Sequence, residues 1–409
     1  MTSLTIERLG HHGDGVAHGP VFVPLSLPGE VVEGNVTAGR MTQPRIVTPS
    51  PNRVRAPCSH FKTCGGCSVQ HGSDSFVENW KTDLVRTALA AQGLDAPITG
   101  VTTSPPKSRR RAVLAGKRTK NGAMVGFHAR GSDVLIEIPN CQLLLPQIMD
   151  LLPALQELTV MGASRKAEIA ISVTWTAAGA DIAVTGGKPL DGPFRAEAAG
   201  FTQRHHVARL VWDGDLIAEQ NAPVQDFGGV AVVPPPGAFL QATQHGQEAL
   251  TQAVQRAVGS ARRVADLFAG CGTFSLPLAH KSEVHAVESE PDMLAAMDAG
   301  WRRMPGLKML TTEARDLFRR PLLPEELRYF DVVVIDPPRA GAEAQVRQIA
   351  QSQIKRIAAV SCNPTSFARD AKILTDAGFA LDWIEVVDQF RWSSHVELAA
   401  QFSKGHITS

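Results

Sequence analysis

The chain has 409 residues, too long for one ordinary core, so two or three domains are expected, each burying its own apolar interior. Its 41 Lys and Arg against 40 Asp and Glu leave a formal charge of +1, which gives no bulk attraction to a polyanion. No stretch approaches the ~18 uninterrupted apolar residues of a membrane span, and the polar start MTSLTIERLG has no secretory apolar run, so a cytoplasmic protein with no membrane partner is expected.

Residues 1–52 alternate apolar and polar in short runs broken by Gly and Pro, the pattern of a small β-barrel; HGDG and LPGE supply its turns. Next comes PCSHFKTCGGCSVQH, which holds Cys58, Cys64 and Cys67, three of the chain's six cysteines. In a reducing compartment such thiols are ligands or nucleophiles rather than disulfides. Three are one short of a tetrahedral site, and thiolates suit zinc and iron–sulfur clusters alike. From 75 to 92, Phe76, Trp80, Leu84, Val85 and Ala88 recur at helical spacing, and Gly93 closes the helix.

Residues 105–120 carry Lys107, Arg109, Arg110, Arg111, Lys117, Arg118 and Lys120 with no acidic residue between them. Such a run gains affinity for phosphates by releasing condensed counterions. Across 98–235 the strands and loops read as an antiparallel α+β region, in which DVLIEIPNCQLL carries Cys141. From 236 to 409 the pattern becomes strand, loop, helix, repeated, as in a buried parallel sheet of an α/β domain.

Two groups of residues in that last region carry chemistry. VADLFAGCGTFS puts Asp266, Gly270 and Gly272 between a strand and a helix N-terminus, and Glu288 ends the next apolar run, where a carboxylate accepts the hydrogen bonds of ribose hydroxyls. The third glycine of a dinucleotide fingerprint and the Lys of a P-loop are both missing, and the acidic residue together with D-x-F-x-G-x-G favours S-adenosylmethionine over NAD. Further on, VVVIDPPRAG ends a strand on Asp336, and IAAVSCNP brings Cys362 to the tip of the following one. A thiolate there can add to carbon 6 of a pyrimidine and turn carbon 5 into a nucleophile. The route also needs a base for the carbon-5 proton, and HVE offers Glu397, with His395 on the same face if the segment is a strand.

DLFAGCGTFSLPLA, IDPPRAG, SCNP and H-x-E, in this order, resemble the RNA uracil-5-methyltransferases, and C-x5-C-x2-C resembles the cluster segment of their iron–sulfur 23S ribosomal RNA members. The resemblance implies a multidomain protein. Residues 1–52 would be a TRAM-like, OB-like β-barrel, 53–235 a central α+β domain with the cluster and a basic RNA-facing segment, and 236–409 a Rossmann-like class I methyltransferase domain. It implies a fourth cluster ligand, so that Cys58, Cys64, Cys67 and Cys141 hold a [4Fe–4S] cluster. It implies S-adenosylmethionine contacts from Gln241, Phe268, Glu288 and Asp336, with Asp316 facing the adenine, Cys362 as nucleophile and Glu397 as base. The expected substrate is a uridine of structured RNA, 23S ribosomal RNA first, with transfer RNA uridine and then RNA cytosine as alternatives. A monomer with no obligate protein partner is expected. Thr273 departs from the family, where Asn commonly follows the second glycine.

Overall fold

A computed structural model describes residues 2–405. The chain opens with β1 (Thr2–Leu9), β2 (Gly15–Ala17), β3 (Val21–Val23), β4 (Val31–Gly34) and β5 (Arg45–Thr48), ordered β3-β2-β1-β4-β5 with every pair antiparallel. Ile6, Ala17, Val23, Val32 and Met41 form its core. Phe22 on the β3 edge bridges Arg40 between β4 and β5, which curls the sheet back on itself.

Helix α1 (Asp74–Ala90) follows, its first turn capped by the Ser73 hydroxyl accepting from Phe76 N–H. Strand β6 (Ile98–Thr103) comes next. The central sheet is built from β7 (Arg111–Arg118), β8 (Ala123–His128), β9 (Leu135–Glu137), β10 (Ile169–Thr176), β11 (Gly179–Thr185), β12 (Val207–Trp212) and β13 (Asp215–Glu219), ordered β13-β12-β11-β10-β7-β8-β9. Helices α2 (Pro146–Asp150), α3 (Leu152–Gly162) and α4 (Gly192–Arg204) complete it, and residues of all three enter its apolar core. The pairing is antiparallel except for β11 with β12, which the α4 crossover makes parallel.

After the hairpin β14 (Gln225–Phe227) and β15 (Val230–Val232) comes α5 (Gln244–Val258), and then the alternating region: β16 (Arg263–Leu267), α6 (Ser275–Leu278), β17 (Glu283–Glu288), α7 (Pro291–Arg303), β18 (Leu310–Ala314), α8 (Pro324–Leu327), β19 (Val332–Ile335), α9 (Glu343–Gln351), β20 (Arg356–Ser361), α10 (Pro364–Asp376), β21 (Phe379–Asp388) and β22 (Glu397–Lys404). Their sheet runs β18-β17-β16-β19-β20-β22-β21-β6, parallel except for β22. Alternation along each strand sends Ala265, Leu267, Val333, Ile335, Ile357 and Ala359 into one core and Val264, Val332, Val334, Ala358 and Val360 into the other. The strand order reverses between β16 and β19, so ligands are expected beyond their carboxyl ends.

Residues 53–235 divide between these bodies. Strand β6 pairs with β21, and Val85 and Leu89 of α1 share a core with Ile384 and Phe402, so residues 74–103 pack with the C-terminal sheet rather than the central one. Phe227, Val230 and Val232 likewise pack with Leu294 and Met297 of α7. No helix among the described residues is long and apolar enough to cross a membrane.

Candidate active site

The turn after β16 is tight. Phe268 takes a left-handed backbone (φ 63°), a conformation a bulky residue adopts only when its surroundings impose it, and its ring packs 5.4 Å from that of Phe318. Gly272 (φ 94°) has no room for a side chain, since a Cβ would lie 2.7 Å from Met297. The Glu288 carboxylate at the β17 tip accepts from Gly270 N–H at 3.0 Å and from Ser289 N–H at 2.6 Å, which ties the glycine turn to the neighbouring strand. Asp266 is fully buried. Its Oδ2 accepts from the Ser275 hydroxyl at 2.6 Å, its Oδ1 has no partner, and burial lifts its carboxyl to about 7. Asp316 is turned to its own backbone, accepting from Phe318 N–H at 2.9 Å.

The reacting groups sit two strands away. The β20–β22 register ends at Ser361 facing Leu398, with Cys362 just past the end of β20 and Glu397 the first residue of β22, near enough for the Glu397 carboxylate to act on the Cys362 thiol. The Asn363 side chain donates to Arg339 carbonyl at 2.9 Å, joining the SCNP turn to the DPPR turn. Burial, then the Glu397 and Asp336 carboxylates, push the Cys362 thiol up to about 11. Glu397 is 3% exposed and burial raises it to about 7, against a side-chain hydrogen bond from Gln389 that lowers it. Asp336 is raised well above the usual carboxylate range by burial, then by Glu397 and Asp266. Gln241 is buried, and its Oε1 accepts from the Gln389 side chain. His395 departs from expectation. Because β22 begins only at Glu397, His395 lies before the strand and is exposed, rather than sharing a face with the buried carboxyl.

Cys58, Cys64, Cys67 and Cys141 line one small void of about 20 Å³, together with His60 and Phe61. Among the described residues no three His, Cys, Asp or Glu side chains converge as ligands of a single metal ion. Burial raises the Cys64 and Cys141 thiols and pushes Cys67 up to about 12.

A family profile described as tRNA (Uracil-5-)-methyltransferase matches residues 309–404. An uncharacterized RNA methyltransferase of Brucella suis is 42% identical over 405 residues, covering 98% of each chain. A 23S rRNA (uracil(1939)-C(5))-methyltransferase, RlmD, of Chromohalobacter salexigens is 32% identical over 99% of this chain and 91% of its own. The chain belongs to the RNA uracil-5-methyltransferase family. Its fold matches that of the Pyrococcus abyssi tRNA (uracil-54, C5)-methyltransferase, solved with S-adenosyl-L-homocysteine, at a TM-score of 0.77 and 23% identity over 98% of this chain.

Around the active site this family member carries features that the sequence did not place in space. A cleft of about 600 Å³ opens between the N-terminal sheet, the cysteine segment and the loop before β22, lined by His12, Arg40, Arg109, Arg130, Phe390 and His395. Asp14 orients two of these, bonding Arg40 at 2.6 Å and Arg130 at 3.4 Å. The basic run divides. Lys107, Lys117 and Lys120 are exposed, whereas Arg110 is 7% exposed and donates to Gln244 and Gln247 of α5, a strut between the central sheet and the catalytic domain. Arg109 packs over the Phe390 ring at 5.7 Å and Arg111 over Phe239 at 5.3 Å.

Proposed function

We propose that this protein uses S-adenosylmethionine to methylate carbon 5 of a uridine in structured RNA, 23S ribosomal RNA in particular, as a cytoplasmic monomer. The meeting of Cys362, just past β20, with Glu397, at the start of β22, at the carboxyl edge of β20 carries this reading. The Cys362 sulfur bonds carbon 6 while its proton is lost to a base, and the double-bond electrons move toward the carbon-4 oxygen. The bound sulfonium supplies the methyl group to carbon 5. The Glu397 carboxylate then takes the carbon-5 proton, the double bond re-forms, and the thiolate leaves and recovers a proton. A carboxyl near pH 7 suits that step at neutral pH. The cofactor fits the residues present: Glu288 stands at the β17 tip, and the orphaned Asp266 Oδ1 faces no protein donor beside the glycine turn. Gln241, Phe268 and Asp336 are its further contacts in this reading.

Residues 1–52 form a TRAM-like RNA-binding barrel in this reading, 53–235 the cluster-bearing central part with α1 and β6 lent to the catalytic sheet, and 236–409 the catalytic domain. The cleft with its arginines supports RNA binding. The ribosomal assignment is supported by the Chromohalobacter relative. Mass-spectrometric mapping of 5-methyluridine in ribosomal and transfer RNA from a strain lacking this protein tests it. Loss at one 23S uridine is expected, and loss confined to transfer RNA would replace the ribosomal reading.

Cys58, Cys64, Cys67 and Cys141 fit a [4Fe–4S] cluster. Four thiols around one small void supply the ligand chemistry such a cluster takes, one thiolate to each iron. Thiols raised by burial stay protonated without metal, so loading releases protons. Anaerobically purified protein should contain iron and acid-labile sulfide, and Cys67→Ser should lose both. Stoichiometric zinc without sulfide would refute the cluster.

A further inference from the structure

The Gln389 side chain is 2% exposed and every polar atom of its amide is used. Ala242 N–H donates to Gln389 Oε1 at 2.7 Å. A backbone N–H can only donate, so that contact fixes which end of the amide is oxygen. The nitrogen must then be the end that faces Gln241 Oε1, at 2.5 Å, and the Glu397 carboxylate. The same backbone stretch is held from the other side, since Arg110 N–H donates to Ala242 carbonyl and Arg110 Nε to Gln241 carbonyl. Helix α5 comes close enough to wedge the amide only because residue 246 is glycine. A Cβ there would lie 2.6 Å from Gln389 Cβ.

We propose that Gln389 is a positioning residue for the proton-removal step. Its amide donates one hydrogen to Glu397 and the other to Gln241, so that the base and the cofactor-side amide are held as one unit. This rests on Glu397 being the base.

The groups facing Glu397 make the contact consequential. Asp336 beyond β19 and the Cys362 thiol beyond β20 flank it, Asp388 at the end of β21 is engaged by Lys81, and Arg339 stands beside Cys362. None of these is a hydrogen-bonded partner of the Glu397 carboxyl, whereas Gln389 is. A hydrogen bond donated to a carboxylate favours its ionised form, the form that removes a proton. Without that donor Glu397 takes up a proton at higher pH, so the acid side of the turnover profile moves upward.

The test is the pH dependence of 5-methyluridine formation by the full-length protein, between about pH 5 and pH 9. The RNA is isolated from a strain lacking this protein. Gln389→Met keeps chain length and removes the amide; its acid limb should move up by about one pH unit, with about a tenfold loss of turnover on that side and covalent enzyme–RNA adduct accumulating on denaturing gels. Gly246→Ala, which pushes on Gln389 without removing its amide, should move the limb the same way by less. Gln389→Asn, too short to reach Ala242 and Glu397 together, decides the matter if the Met variant does not fold. An unmoved acid limb with wild-type adduct levels overturns the proposal. Glu397→Gln runs in parallel: if it stalls as adduct while Gln389→Met behaves as wild type, only the positioning role fails, and if it turns over normally the base assignment itself fails.

Discussion

Cys362→Ala should lose 5-methyluridine formation by about 10⁴-fold or more while retaining S-adenosylmethionine binding, because it removes the sulfur that makes carbon 5 nucleophilic and touches none of the glycine-turn contacts. No other group can take over. Cys271 is buried in the glycine turn with its thiol pushed up to about 12, and the other four cysteines ring the separate void. Glu397→Gln should fail differently. It keeps the shape of the side chain but cannot accept the carbon-5 proton, so the methylated adduct cannot eliminate its thiolate and should persist through denaturing electrophoresis. Transfer of a radiolabelled methyl group and a gel-shift assay read both outcomes. Substantial methylation by the Ala variant would end the covalent route, and rapid release of product by the Gln variant would remove Glu397 from it.

The cysteine void and the reacting groups share a wall. Cys67, Phe61, Leu143 and Trp392 form one buried cluster, with Cys58 and Cys141 against it. Trp392 adopts a left-handed backbone (φ 60°), and its carbonyl accepts from Ser68 and Val69 N–H at 2.7 and 3.0 Å. The cysteine segment therefore holds in place the short loop that joins Gln389 to Glu397. Arg391 adds a second tether, donating to Asp74 of α1 at 2.7 Å and to Ser104 carbonyl at 3.2 Å. A group bound among the thiols would stiffen that loop through packing alone, with no electron transfer required.

The repeated strand–loop–helix pattern announced the C-terminal sheet because buried parallel strands write continuous apolar runs, and VVVI and IAAV are such runs. The tips of those strands carried Asp336 and Cys362 in plain view. Strand β6 was less legible. Its sequence ITGVTT is a short edge strand with partly exposed residues, and only tertiary pairing with β21 assigns it to that sheet. The inward turn of Arg110 was hidden for the same reason, since its partners Gln244 and Gln247 lie far along the chain. Gln389 left no signal at all, being one polar residue after a strand. Lys81 did leave one. It falls on the i, i+4, i+8 stripe Val77, Lys81, Val85 of α1, and a lysine centred on a buried face calls for a buried partner.

That partner makes Lys81→Met the strongest expected effect on stability. Lys81 is 0% exposed and Asp388 1%, and Nζ donates to Asp388 Oδ1 at 2.5 Å and to Phe390 carbonyl at 3.1 Å. Burial works against both charges, lowering the lysine and raising the aspartate, and after burial the strongest influence on each is the other, Arg391 adding a smaller pull on the aspartate. Asp388 Oδ2 already lacks a partner. Removing the ammonium leaves a buried carboxylate without its hydrogen-bonded counter-charge, a loss of about 3–5 kcal/mol, read as a fall in the urea midpoint of the C-terminal sheet. Lys81→Met combined with Asp388→Leu should recover most of that loss, because two apolar side chains desolvate without penalty. Activity should not recover with it, since Asp388 and Phe390 flank Gln389 and Lys81 ties both of them to α1. If the double variant regained both stability and turnover, the ion pair would be a packing element with no hold on the base. If the single variant kept its full midpoint, Asp388 would have to be accepting its charge or a proton from somewhere other than α1.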